Sequence, residues 1–151
     1  MTNEGRDIKN HKKRGEWAEL QFMARAAEHG LNVARPWGDS QRYDVGIEYK
    51  GRLLRVQVKC TIHKHPDGLA YVSTTRGHNG CGHYTRAQID FLAVYIAPED
   101  IWYIFPSSVS TTLQWSVYLR PHWKGHKYER YREAWELLRG KKRRARAASA
   151  P

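Results

Sequence analysis

The sequence predicts a single α/β domain in which a central sheet, mixed but mainly antiparallel, is flanked by helices. Three observations carry that expectation. The chain has 151 residues, 40% of them hydrophobic, which suits one core and leaves little room for a second. Its apolar positions recur at helical spacing near each end and alternate in short runs between. Glycine and other turn formers separate those runs.

Residues 1–14 carry Arg6, Lys9, Lys12, Lys13 and Arg14 without apolar periodicity, so they read as a flexible basic arm. A helix is expected over 15–29, with Gly30 as its stop. Strand-like runs follow at 32–35, 43–49, 52–60, 69–75, 91–96, 101–105 and 113–119. A second helix fits 128–139, where Tyr131, Trp135 and Leu138 share one side and Gly140 ends it. The last segment, KKRRARAASAP at 141–151, reads as a disordered basic tail. One domain is therefore expected over 15–140, with no internal repeat.

Lys and Arg number 26 against 15 Asp and Glu, a net charge of +11 with a pI near 9.9. That excess points to a polyanionic partner, nucleic acid ahead of an anionic membrane. Six Trp and nine Tyr add aromatic faces for base stacking, beyond those the core takes. Two cysteines, Cys60 and Cys81, are too few for a disulfide scaffold and fit a reducing cytoplasm. No signal peptide is expected in the polar opening MTNEGRDIKNHKKRGE. The longest apolar run, 91–97, falls far short of a membrane span. Composition thus argues against a secreted miniprotein, a membrane protein and a coiled coil.

The most informative stretch is YDVGIEYKGRLLRVQVKC, residues 43–60. Two alternating runs flank Lys50 and Gly51, a two-residue hairpin turn in which Gly accepts positive φ. Position i then faces position 101 minus i. Val45 opposes Val56, Ile47 opposes Leu54 and Tyr43 opposes Val58, making one apolar face. Asp44, Glu48, Arg55, Gln57 and Lys59 take the other. A one-residue slip would mix the two sets, so the pattern specifies the register.

In that register Asp44 lies across from Gln57, with Cβ atoms roughly 5 Å apart. Lys59 follows on the same face, about 7 Å along the strand. A carboxylate and an amide oxygen at that separation suit one hard divalent cation, whose bonds to oxygen are about 2.1 Å for Mg²⁺. The neighbouring ammonium would orient water or stabilise a pentavalent phosphate. A solvated hairpin face alternates in the same way and is the competing reading.

On the first helix, Trp17, Leu20, Phe22, Met23, Ala24, Ala26 and Ala27 cover one broad arc at 100° per residue. Glu16 and Glu19 fall inside that arc. A carboxylate aimed at a core costs several kcal/mol unless a cation or hydrogen bonds meet it. A metal site at the hairpin, or Lys59, would do so. Alternatively one of them emerges at the helix N-terminus, where a carboxylate is favourable anyway; Glu16 does this more easily than Glu19.

A helix with an inward Glu, then RYD at 42–44 and RVQVK at 55–59, resembles the PD-(D/E)XK nuclease superfamily. The similarity is nearest to a branch with Gln in place of the second acidic residue, which includes a group I intron homing endonuclease. RPWGDSQRYDVGIEYKGRLLRVQVK at 35–59 and YTRAQIDFLAVYIAPEDIWYIFP at 84–106 carry most of it, and YERYREAWELL adds a weaker match. The resemblance implies a restriction-endonuclease-like core. It makes Asp44 the metal-binding Asp, Gln57 the second acidic position and Lys59 the catalytic lysine. Glu19 stands eleven residues before Gly30, as the helical Glu does in related nucleases, and is preferred for that role. Glu16, which follows Gly15, is the reserve. Arg42 and Tyr43 stand where the superfamily has Pro before the Asp. Gln57 removes one negative charge from the metal site.

The implied chemistry is phosphodiester hydrolysis with Mg²⁺ (or Mn²⁺) held by Asp44, Gln57 and Glu19. DNA is the implied substrate, and a homodimer or larger even oligomer would bring two sites to two strands. Expected DNA contacts are Lys12, Lys13, Arg14, Arg42, Lys64, Arg76 and Arg86. Three further features are weighed beside these. Cys60, His63 and His65, with His78, Cys81 and His83, offer soft ligands for a structural Zn²⁺, though at no standard finger spacing. The Gly-, His- and Arg-rich segment 61–86 suits groove or backbone contacts, or is a solvated connection. Asp90 reads as a turn cap, and Glu99 with Asp100 as a structural turn. The leading function is a metal-dependent DNA endonuclease. The alternatives are a nucleic-acid-binding module that kept the fold and lost turnover, and a zinc-stabilised RNA-binding protein.

Overall fold

The structure, a computed structural model, describes residues 7–77 and 82–140. Its elements in chain order are α1 (His11–Glu28), β1 (Asn32–Ala34), β2 (Val45–Tyr49), β3 (Arg52–Thr61), β4 (Tyr71–Thr74), β5 (Phe91–Ile96), β6 (Ile101–Pro106), α2 (Ser107–Ser110) and β7 (Ser116–Leu119). Five strands form one sheet in the order β1-β2-β3-β5-β6, and β4 pairs with β7 in a separate ribbon. Within the sheet β3 and β5 run parallel and the other neighbours antiparallel, the mixed, mainly antiparallel arrangement that the sequence predicts. No described helix is long and apolar enough to cross a membrane.

Helix α1 begins at His11, four residues before the expected start. Asn10 caps it, its Oδ1 accepting from Lys13 N at 3.0 Å. Residues 11–14 of the expected basic arm are therefore helical, and the cap went unread because only cations follow it. The buried stripe is Arg14, Ala18, Phe22 and Ala26, spaced by four. Trp17 and Met23 pack beside it, whereas Leu20, Ala24 and Ala27 are exposed, so the arc drawn from hydrophobicity was too broad. The helix ends where Gly30 takes φ +72°. Gly30 N donates to Ala27 O and Leu31 N to Ala26 O, the paired bonds of a Schellman stop.

The hairpin turn has Lys50 and Gly51 both at positive φ (48° and 74°), as a type I′ turn requires. Val45 faces Val56 and Ile47 faces Leu54, which is the expected register. Strand β3 then continues to Thr61 beside β5, from Val56–Phe91 to Thr61–Ile96. Strands β5 and β6 are buried on both faces, and each face has its own core. Phe22, Val56, Val58, Trp102, Trp135 and Leu138 belong to the core under α1. Leu92, Val94, Tyr103 and Phe105 join the ribbon residues Tyr71, Val117 and Leu119 in the other.

The closing helix expected over 128–139 is instead two short 3₁₀ turns, Glu129–Tyr131 and Trp135–Arg139. Glu133 separates them at φ +48°. Its carboxylate accepts from Trp102 N at 2.8 Å and Trp135 Nε1 at 2.6 Å, and its own N–H donates to Trp102 O. These tertiary bonds override a periodicity that was present but local. The expected strand at 69–75 shortens to β4, and that at 113–119 to β7. Residues 141–151 lie outside the described residues, as do 1–6 of the arm.

Candidate active site

Strand β2 pairs with β3 only as far as Val45–Val56, and the chain before it peels away. A cleft of about 570 Å³ opens there. It is bordered by the first turns of α1, the segment 35–44, the second half of β3, and β4. Glu16, Glu19, Asp44, Gln57 and Lys59 all line it. The structure thus brings together the five residues singled out from sequence.

Asp44 stays tied to β3 after the strand pairing ends. Its N–H donates to Val56 O at 2.9 Å, and its Oδ2 accepts from Val58 N at 2.8 Å. That second bond sets the carboxylate against the backbone between Gln57 and Lys59. Alternation on β3 sends Val56 and Val58 into the core under α1 and leaves Gln57 and Lys59 to the opposite face. Both are nearly enclosed, at 8% and 7% exposed. Gln57 Nε2 donates to Val58 O at 3.3 Å, which commits the amide nitrogen to backbone and leaves the oxygen for another partner.

Glu19 reaches the cleft from α1 and pairs with Arg35 at 3.1 Å. Burial, followed by the Asp44 charge, pushes its carboxyl up to about 7, with Arg35 opposing. Glu16, one turn earlier, is exposed. Burial also holds the Lys59 ammonium below the usual lysine range; Asp44 opposes that shift and Arg42 adds to it. Lys59 Nζ lies 5.4 Å from the Tyr84 ring centroid, and the Arg42 guanidinium 4.7 Å from the same ring. Sequence reasoning missed Arg35 and Tyr84. Both stand inside the segments that carried the resemblance, but nothing local marks them as neighbours of Glu19 and Lys59.

The expected DNA contacts divide. Lys12 and Lys13 are exposed on the first turn of α1, and Lys64 and Arg86 are exposed on loops. Arg76 lies against the Trp115 ring, 3.0 Å from its centroid, with Nη2 2.6 Å from His83 Nε2. Arg42 is half-buried against Tyr84. Arg14 borders the cleft but is 7% exposed, donating to Ile8 O and bonded to His11 Nδ1, so its guanidinium braces the helix start.

The described members of the Cys/His clusters, Cys60, His63, His65 and His83, do not converge. Burial pushes the Cys60 thiol up to about 11, away from the thiolate that zinc prefers. His65 pairs with Asp67 at 3.1 Å, while His78 and Cys81 lie outside the described residues. Among the described residues no three His, Cys, Asp or Glu side chains converge to hold a metal, at the cleft or elsewhere. The cleft is lined instead by the carboxylates of Glu16, Glu19, Asp39 and Asp44 and by the amide of Gln57.

A model of the PD-(D/E)XK endonuclease family matches residues 9–138. No curated protein matches the chain. Among solved structures, the bacterial homing endonuclease I-Ssp6803I is similar at a TM-score of 0.74 and 29% identity, over 88% of this chain and 94% of that one. With the family model spanning helix, hairpin and closing segment alike, the chain belongs to the PD-(D/E)XK endonuclease family.

Proposed function

We propose that the protein is a Mg²⁺- or Mn²⁺-dependent endonuclease that hydrolyses phosphodiester bonds in duplex DNA. The observation that carries this reading is the Asp44 carboxylate bonded to Val58 N, which sets it beside Gln57 and Lys59 in the cleft that Glu19 also lines. DNA as substrate is supported by the net charge of +11 and by the likeness to a homing endonuclease.

The residues fit a hard divalent cation. Asp44, Gln57 and Glu19 offer oxygen donors, the type such ions take. Burial, with the Asp44 charge second, pushes the Glu19 carboxyl up to about 7, and a bound cation would favour its ionised form. When bound, the cation supplies Lewis acidity to the phosphate and lowers the pKa of the attacking water. Asp44, Glu19 and the Gln57 oxygen would hold it, and Val58 N keeps the Asp44 carboxylate in place. Lys59, shielded from solvent and seated near Tyr84, orients the nucleophilic water and offsets charge growing on the phosphate. Glu19 takes the helical role ahead of Glu16 because only it is half-buried and coupled to Asp44. Lys12 at the cleft rim and Lys13, Lys64, Arg76 and Arg86 around it contact the DNA backbone. A homodimer or larger even assembly serves both strands.

Incubating supercoiled plasmid with the protein and Mg²⁺ or Mn²⁺ tests this. Nicking or linearisation is expected from the wild type, with a loss of at least about 100-fold in Lys59→Ala, the usual scale for a positioned catalytic group. If the wild type binds DNA yet cuts no substrate with either ion, the chain is a binding module that kept the fold, the reading that Gln57 favours.

A further inference from the structure

The ribbon of β4 and β7 stands outside the main sheet but builds one wall of the cleft. Its register pairs Val72 with Tyr118 and Thr74 with Ser116. Tyr71, Ser73, Val117 and Leu119 are buried, so the alternate set of Val72, Thr74, Ser116 and Tyr118 turns outward. Val72, Ser73 and Thr74 line the cleft, and Tyr118 and Ser116, across from Val72 and Thr74, carry the outward face beyond it. The ribbon surface is therefore continuous with the wall that holds Lys59.

This face is chemically selective. Three of its four side chains end in hydroxyls and the fourth is an aliphatic methyl pair. The Thr74 hydroxyl donates to Trp115 O and accepts from Arg76 N, whereas those of Ser116 and Tyr118 present a donor and an acceptor each. It has no carboxylate of its own. Cations stand at both ends: Arg76 beside Trp115 past Thr74, and Lys64 and Arg120 past Tyr71 and Leu119. The second end is partly neutralised, because Asp67 pairs with Arg120 and His65, and Glu99 with His122. A two-stranded ribbon fits the major groove of B-DNA, about 12 Å wide, where hydroxyls meet base edges and an apolar group meets the thymine methyl. Four residues of strand, at about 3.3 Å each, span roughly four base pairs. Terminal cations then fall on the phosphates that border the groove.

From this we infer that the outward face of β4 and β7 enters the major groove beside the scissile phosphate and reads the bases there, with Ser116 and Tyr118 as specificity-determining residues. The inference rests on the reading of the partner as duplex DNA and deepens it.

The test uses the full chain and a pool of randomised DNA duplexes, selected in EDTA so that cleavage does not intervene. The double variant Ser116→Ala/Tyr118→Phe removes two hydroxyls and keeps the strand and the ring. The wild type should enrich a preferred run of base pairs. The variant should lose discrimination over adjacent positions by about 5- to 100-fold per lost contact, with unchanged affinity for a duplex of unrelated sequence. Enrichment of the same run with the same discrimination would overturn the inference. So would no enrichment by the wild type, an equal loss of affinity for every sequence, or a change in oligomeric mass in the variant. Cleavage of the enriched duplex with Mg²⁺ is scored separately. A wild type that selects bases but never cuts leaves the ribbon's role standing and removes the nuclease reading.

Discussion

Gln57 decides how much charge the cleft offers a cation. Its amide sits on β3 beside Lys59, with the Asp44 carboxylate fastened at Val58 N between them. A Glu at 57 would keep the donor oxygen and add a full negative charge to a site where Glu19 already titrates near 7. Gln57→Glu should therefore bind Mg²⁺ roughly tenfold more tightly or better, the scale of one added charge at close range in a half-buried site. In EDTA the same variant should melt at a lower temperature than the wild type, because a further carboxylate then joins those of Glu16, Glu19, Asp39 and Asp44 around one cleft. Calorimetric titration with Mg²⁺ and a melting curve in EDTA read both effects; equal affinity in the two proteins would remove Gln57 from the metal site. Asp44, Gln57 and Lys59 were legible in the sequence because strand alternation is strict and a two-residue turn leaves one register. The helix was less legible. Alanine counts as apolar wherever it falls, so the predicted arc swept in exposed Ala24 and Ala27 and overlooked Arg14, whose burial depends on Ile8 O and His11. Arg35 and Tyr84 touch Glu19 and Lys59 only through tertiary packing, which no local pattern encodes.

Strands β3 and β5 are the parallel pair of the sheet, and a salt-bridged clamp fixes where they meet. Asp90, just before β5, accepts from Arg55 N at 2.8 Å and Arg55 Nε at 3.0 Å, while its own N–H donates to Arg55 O. Arg55 also reaches Ala87 O and Arg86 O. Burial alone would raise the Asp90 carboxyl, but these bonds and the Arg55 charge hold it below the usual carboxylate range. A depressed folded-state pKa adds stability that is complete above the ordinary Asp pKa and is lost as pH falls through the lower folded value. Asp90→Asn should thus cost about 1–2 kcal/mol at pH 7, and the gap to wild type should close on acidification below the normal Asp range. Urea unfolding across pH 2–7 measures this, and a gap that persists at the acid end would mean that the clamp is not electrostatic. From sequence Asp90 reads as a cap, which captures its backbone bond but not its partner 35 residues away. The closing segment failed for a related reason: Tyr131, Trp135 and Leu138 have helical spacing, yet Glu133 is pulled out of helical conformation by Trp102 and Trp135. Strand elements were legible wherever alternation and turn chemistry agreed. Element ends were lost where distant groups compete for the backbone.

At the scale of the whole molecule, the net charge of +11 has two sources with different consequences. Lys141, Lys142, Arg143, Arg144 and Arg146 supply five of the eleven charges, so residues 1–140 keep +6. The family match stops at 138, and the last contact holding the closing segment, Arg139 to His29 O, lies before those five cations. The segment 141–151 lies beyond both the family match and the described residues, and its five cations should add affinity for polyanions. A chain ending at Gly140 should melt at the same temperature as the full one. Its affinity for duplex of unrelated sequence should fall, and the slope of log K against log salt should become shallower by up to about 4.5, since each released phosphate contact contributes about 0.9. Cleavage position should not move, because the proposed base reading and hydrolysis are assigned to the ribbon and the cleft. Fluorescence anisotropy at several salt concentrations gives the slope, and calorimetry gives the melting temperature. An unchanged slope would show that the tail does not reach the phosphates; a lowered melting temperature would show instead that it packs on the domain.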